Sequence, residues 1–179
     1  MLLRDNLTLI DDTIYNLIKK FRNDNLTIFF KIISNFASPI VLLLITVLSA
    51  FLKDKKYFRI ISLNLIIVTV LNQLLKIIFS RPRPFDMIIK EIGYSFPSGH
   101  SMASMAFYGL FAYLLYKNIN NKYIKWLSII FIFILIFLIG LSRIYLRVHY
   151  PSDVIAGFSL SLSYLIIFIS FYASEKLYK

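Results

Sequence analysis

From Tyr123 to Asp153 the chain reads YIKWLSIIFIFILIFLIGLSRIYLRVHYPSD. The first part, Tyr123 to Leu141, holds one charge, Lys125, in a run close to the roughly 20 residues that cross about 30 Å of hydrocarbon as a helix. The character then changes: Arg143, Arg147, His149 and Asp153 follow in quick succession before apolar sequence resumes. A membrane span that delivers ionisable groups to its end sets the class, because backbone buried in lipid must be helical and chemistry collects at helix ends.

Working outward, comparable runs lie at roughly Pro39 to Leu52, with an upstream extension past a kink at Pro39 as the alternative, and at Tyr57 to Phe79, Ser98 to Tyr116 and Ser152 to Ala173, separated by short polar or proline-containing links. The expected fold is therefore all-α, an integral membrane helical bundle of about five transmembrane helices. Between Leu7 and Phe21, Ile10, Ile14, Leu17, Ile18 and Phe21 recur at helical spacing, with Asp11, Asp12, Asn16, Lys19 and Lys20 on other faces. That pattern predicts an amino-terminal amphipathic helix lying at the interface. No repeat or linker divides the 179 residues, so a single domain is expected, with residues 1–36 interfacial and 37–179 the transmembrane core. The opening MLLRDNLTLIDD lacks a small-residue cleavage site and does not read as a removable signal peptide.

Composition agrees: 59% of residues are hydrophobic, above the roughly 45–50% usual in soluble domains. The net charge of +11 would suggest nucleic acid in a soluble protein, but here the cations sit between apolar runs and suit anionic headgroups, so no nucleic-acid partner is expected. Cysteine is absent, which excludes disulfides and thiolate nucleophiles. Alternation of the spans groups Lys53, Lys55, Lys56, Arg59, Lys117, Lys122, Lys125, Lys176 and Lys179 on one side, which the positive-inside rule makes cytoplasmic. The links Ser80–Pro97 and Ser142–Pro151 then face outward from a plasma membrane.

Both histidines, His100 and His149, lie at the outward ends of spans, beside those links. His149 and Asp153 stand four residues apart, with Pro151 placed to start the last helix, so a carboxylate can reach the ring, fix its tautomer and stabilise developing positive charge. Pro97-Ser98-Gly99-His100 precedes an apolar helix; Ser98 can cap it, and Gly99 lets free amides approach an oxyanion. Cations complete the set. Lys76 lies inside a span, where a charge either snorkels to the headgroups or has a partner. The guanidinium groups of Arg83 and Arg143 suit a bidentate grip on phosphate.

In this arrangement the residues resemble the type 2 phosphatidic acid phosphatase family. Lys76, six intervening residues and Arg83-Pro84 match its first motif; Pro97-Ser98-Gly99-His100 matches the second; Ser142-Arg143, five residues, His149, three residues and Asp153 match the third. The resemblance implies a membrane lipid phosphatase without metal or cofactor. His149 would be the nucleophile, Asp153 its orienting partner and His100 the donor of a proton to the leaving oxygen. Lys76, Arg83, Ser98, Gly99 and Arg143 would hold the phosphate. Arg81 and Arg147 are additional to the pattern and are candidates for a second phosphate or a headgroup. Among membrane members, FPSGHSM and GLSRIYLRVHYPSDVIAGFSL resemble the bacterial phosphatidylglycerophosphatase B type. The expected substrate is a phospholipid or polyprenyl phosphate, such as phosphatidylglycerophosphate, phosphatidic acid or undecaprenyl diphosphate. Two other readings stay open: phosphotransfer to an acceptor lipid, and non-catalytic binding of anionic lipids.

Overall fold

The computed structural model describes residues 2–52 and 54–175, with side chains from 9 to 52 and from 54 to 172; Lys53, Lys176 and Lys179 of the basic set lie outside them. The described residues form seven helices: α1 Leu2–Lys19, α2 Asp24–Asn35, α3 Pro39–Ser49, α4 Lys55–Phe79, α5 Gly99–Asn118, α6 Lys122–Tyr145 and α7 Pro151–Glu175. Helix starts follow local chemistry. Asn23, Ser38, Asp54, Ser98 and Asn121 cap α2 to α6 through side-chain oxygens that accept first-turn amides. Pro39 and Pro151 begin α3 and α7, where a missing N–H costs nothing.

By length and hydropathy, α4, α6 and the Pro151–Tyr172 part of α7 can each cross a membrane, and α2 with α3 forms a fourth candidate bent by 42°. Helix α1 is separate, whereas α2 continues into α3 across the bend at Ala37 and Ser38, just before Pro39. The Tyr108 hydroxyl of α5 donates to the Phe36 carbonyl at 2.6 Å, pairing a carbonyl that the bend frees. Helix α5 has its two ends at opposite ends of the bundle and is shielded by protein rather than lipid, so it needs fewer apolar residues than α4, α6 and α7. It packs against α4, α6 and α7, burying Ser101, Met102, Ser104, Phe107 and Leu110.

Close packing replaces hydrophobicity as the glue between these helices. A Cβ on Gly140 of α6 would fall 2.3 Å from Cζ of Phe158 on α7, so only glycine permits that approach. Buried polar side chains pin α5 from both sides: Asn64 Nδ2 donates to the Ala106 carbonyl and Ser161 Oγ to the Met102 carbonyl, each at 2.9 Å. Large apolar side chains such as Ile78, Phe131 and Ile166 point outward, as a lipid-facing surface requires. The carboxyl ends of α4 and α6 and the amino ends of α5 and α7 meet at one end of the bundle, and α1 docks there, Asp11 against Ser152.

Candidate functional site

At that end a cavity of about 540 Å³ is lined on its polar side by Lys76, Arg83, Gly99, His100, Arg143 and His149. Its other side, between α3, α4 and α5, is apolar, formed by Leu42, Leu43, Leu65, Val68 and Ala103.

His149 leaves α6 through a five-residue link, 146–150, whose entry is made by Arg147 in the left-handed conformation, φ +57°. This position after a helix is usually glycine. The non-glycine residue is held by its side chain: Nε of Arg147 donates to Asp86 at 2.8 Å, and the guanidinium lies 3.5 Å from the Tyr15 ring centroid. His149 itself is buried. Its Nε2 lies 3.2 Å from Arg83 Nη1, and its Nδ1 lies 3.5 Å from Asp153 Oδ2. Arginine can only donate, so Nε2 is the acceptor and the neutral ring carries its proton on Nδ1, toward Asp153. Burial first, and then the charges of Arg143, Arg83 and Lys76, hold His149 well below the usual histidine range, so the ring is neutral at neutral pH. An unprotonated Nε2 facing the cavity is what a nucleophile needs.

Asp153 is fully buried at the start of α7 and fully used: Oδ1 accepts from Arg81 at 2.7 Å, and Oδ2 accepts the Tyr150 amide at 2.9 Å. The cations are steered similarly. Arg83 donates to the Val148 carbonyl at 2.8 Å and to the Gly93 carbonyl at 3.0 Å; Lys76 donates to the Tyr94 carbonyl. Arg143 is buried and binds Ser34 and the carboxylate of Glu91.

The structure thus brings Lys76, Arg83, Gly99, His100, Arg143 and His149 to one cavity, with Asp153 directly behind His149. Ser98 is not on the cavity wall; it is buried, its Oγ accepts from Ser101 Oγ at 2.9 Å, and its amide donates to the Asp153 carbonyl at 3.1 Å, tying α5 to α7. Arg81 and Arg147, considered from sequence for a second phosphate, are also off the wall and engaged by carboxylates: Arg81 by Asp11 and Asp153, Arg147 by Asp86.

Three residues went unnoticed as site components. Asn72 lines the cavity one turn before Lys76, and a Cβ on Gly99 would meet its Oδ1 at 3.1 Å. A polar residue four before an intramembrane lysine was the available signal. Glu91 sits in a loop without periodicity, and nothing local marks it as the partner of Arg143. Asp11 belongs to the polar stripe of α1, yet it is only 1% exposed. Among the described residues no three His, Asp or Glu side chains group as metal ligands would.

Fold and site define a class: an all-helical membrane protein with a histidine-centred, cation-lined pocket opening from an apolar groove at the end of its bundle. The chain belongs to the PAP2 superfamily, whose family model matches residues 57–177. It is 44% identical over 96 residues to phosphatidylglycerophosphatase B of Bacillus subtilis, covering 52% of this chain and 47% of that protein. It is 31% identical over 117 residues to an undecaprenyl-diphosphatase of Sulfolobus acidocaldarius, covering 62% and 52%. The chain thus aligns with about half the length of these curated relatives. Its fold is similar to the crystal structure of a transmembrane PAP2-type phosphatidylglycerolphosphate phosphatase from Bacillus subtilis, with TM-score 0.87 and 28% identity, over 94% of this chain and 87% of that one.

Proposed function

We propose that this protein hydrolyses a phosphate ester on a membrane lipid through a phosphohistidine formed at Nε2 of His149. The observation that carries the reading is the shape of one cavity: a neutral histidine and three cations at one side, an apolar groove at the other. A phosphorylated headgroup fits the first and an acyl or prenyl chain the second.

In this mechanism the lipid phosphate replaces Glu91 on Arg143 and takes the guanidinium of Arg83 and the ammonium of Lys76. With Arg83 turned to phosphate, Nε2 of His149 is free to attack phosphorus as the bond to the leaving oxygen breaks. The negative charge of the bound phosphate favours the imidazolium form of His100, at the amino end of α5, which gives that oxygen a proton and is left neutral. The positive charge that develops on His149 is stabilised by Asp153 across Nδ1. Water, deprotonated by His100, then attacks phosphorus, the P–N bond breaks, and inorganic phosphate leaves.

Among the described residues Lys76, Arg83 and Arg143 are the cations on the cavity wall, since Arg81 and Arg147 are held by carboxylates elsewhere. This favours a phosphomonoester, such as phosphatidylglycerophosphate or phosphatidic acid, over undecaprenyl diphosphate. We read Lys55, Lys56, Arg59, Lys117, Lys122 and Lys125 at the far end as cytoplasmic anchors, which supports a cavity on the extracytoplasmic face of a plasma membrane.

Phosphate release from a panel of these three lipids, with enzyme in detergent, tests the reading. The expected result is highest kcat/KM on a phosphomonoester and no release by His149→Ala. Binding without release from every lipid would instead indicate a lipid-binding protein, and phosphate recovered on an acceptor lipid would indicate a transferase.

A further inference from the structure

Asp11 lies far from the three motifs and outside the matched residues 57–177, yet it is one of the most completely buried acids in the protein. A carboxylate is rarely buried so fully unless it is paired. Its partners all belong to the catalytic end. Oδ1 accepts the Ser152 amide at 2.8 Å; Oδ2 accepts Ser152 Oγ at 2.7 Å and Arg81 Nη2 at 2.8 Å. Arg81 continues the line: its Nη1 donates to Asp153 Oδ1 and to Ser152 Oγ, each at 2.7 Å, while its plane covers the Tyr150 ring at 4.1 Å. Asp153 Oδ2 then faces His149 Nδ1 at 3.5 Å.

We infer that Asp11 of the amino-terminal helix is a positioning residue for the reaction at His149, acting through Arg81 and Asp153. This rests on the phosphohistidine reading above. Two physical reasons lead to it. First, Arg81 sits on an irregular link before Pro82, and a guanidinium attached only to Asp153 could swing; the second carboxylate clamps both ends of its fork. The clamp fixes Oδ1 of Asp153, so Oδ2 is presented to the ring in one orientation. Second, charge must be balanced. Arg81 with Asp153 alone is neutral and leaves little net attraction for the cation that forms on His149. Adding Asp11 makes the group net negative, which favours the charged histidine of the transition state and intermediate. A helix that the sequence places at the membrane interface therefore takes part in holding the catalytic histidine.

The test is Asp11→Asn, nearly isosteric, measured as kcat and KM per folded molecule alongside its thermal midpoint in detergent. The expected result is a fall in kcat of about tenfold, with KM changed less than about twofold, since Asp11 is not on the cavity wall. In an Asp153→Asn background the same change is expected to lower kcat less than about twofold, because the group it acts through is gone. Asp11→Glu, which keeps the charge, is expected to recover part of the loss; Asp11→Ser, which removes the charge but keeps a hydrogen-bonding oxygen, is the second probe if Asp11→Asn yields no folded protein. Unchanged kcat in whichever of the two charge-removing variants folds would overturn the inference. So would an equal loss with and without Asp153, which would mean that Asp11 only docks α1. Failure of the parent reading is separate: it would show as turnover surviving His149→Ala, whatever Asp11 variants do.

Discussion

At the scale of single residues, the behaviour of His149 is set by its surroundings more than by its own chemistry. Burial and three cations depress its pKa, so the ring is neutral and its lone pair faces the cavity. The sign of the pH effect follows. A histidine whose folded pKa lies below its unfolded value of about 6.5 contributes full stability above that value and loses it as pH falls through the folded pKa. The thermal midpoint in detergent is therefore expected to drop on acidification below about pH 6.5, and to drop less steeply in His149→Gln. Turnover should not show loss from His149 protonation until below that same pH. Asp153→Asn keeps the shape but removes the charge behind Nδ1, and a fall in kcat of about 10²-fold or more is expected in steady-state assays. His149, Asp153, Arg83 and Lys76 were all legible in the sequence because spacing and span ends place them. The true partners of Arg81 and Arg147 were not, since Asp11 and Asp86 approach them across 70 and 61 positions of chain.

At the scale of elements, two devices shape the site. The left-handed Arg147 turns the chain from α6 into the cavity, at the expense of backbone strain that its bonds to Asp86 and Tyr15 offset. Both Arg147→Gly and Arg147→Ala lose those bonds, but glycine adopts the conformation freely. Arg147→Gly is expected to be the more stable of the two by about 1 kcal/mol, measured by unfolding in mixed micelles. The second device is the close crossing of α6 and α7 at Gly140; Gly140→Ala drives a methyl toward Phe158 and is expected to cost about 1–3 kcal/mol. Hydropathy found α4, α6 and α7 well because lipid-facing helices advertise themselves. Hydropathy alone did not show that α5 is the helix the others surround. The kink before Pro39 was legible as a possible upstream extension of that span, but not the Tyr108 hydroxyl that bonds to Phe36 at the bend.

For the whole molecule, groups from α4, α5, α6 and α7 and the links between them converge on one end of a bundle whose far end holds Lys55, Lys56, Arg59, Lys117, Lys122 and Lys125. The absence of cysteine makes sidedness directly measurable. Ile92→Cys, at a position 96% exposed beside the cavity, is expected to react with a membrane-impermeant maleimide on intact cells, and Asn120→Cys, in the link after α5, only after lysis. The same alternation that predicts this made the site readable: three motifs distant in sequence had to share a side. What alternation could not supply is the role of α1, whose polar stripe looks solvated until α7 and Arg81 close over Asp11. The measurement that bears most directly on the account is capture of the covalent intermediate. Enzyme mixed with lipid carrying a radiolabelled phosphate and quenched in alkaline detergent, where a P–N bond survives, should retain label that is lost on acid treatment and absent in His149→Ala. Label retained equally by His149→Ala, or turnover of the lipid by that variant at the wild-type rate, would contradict it.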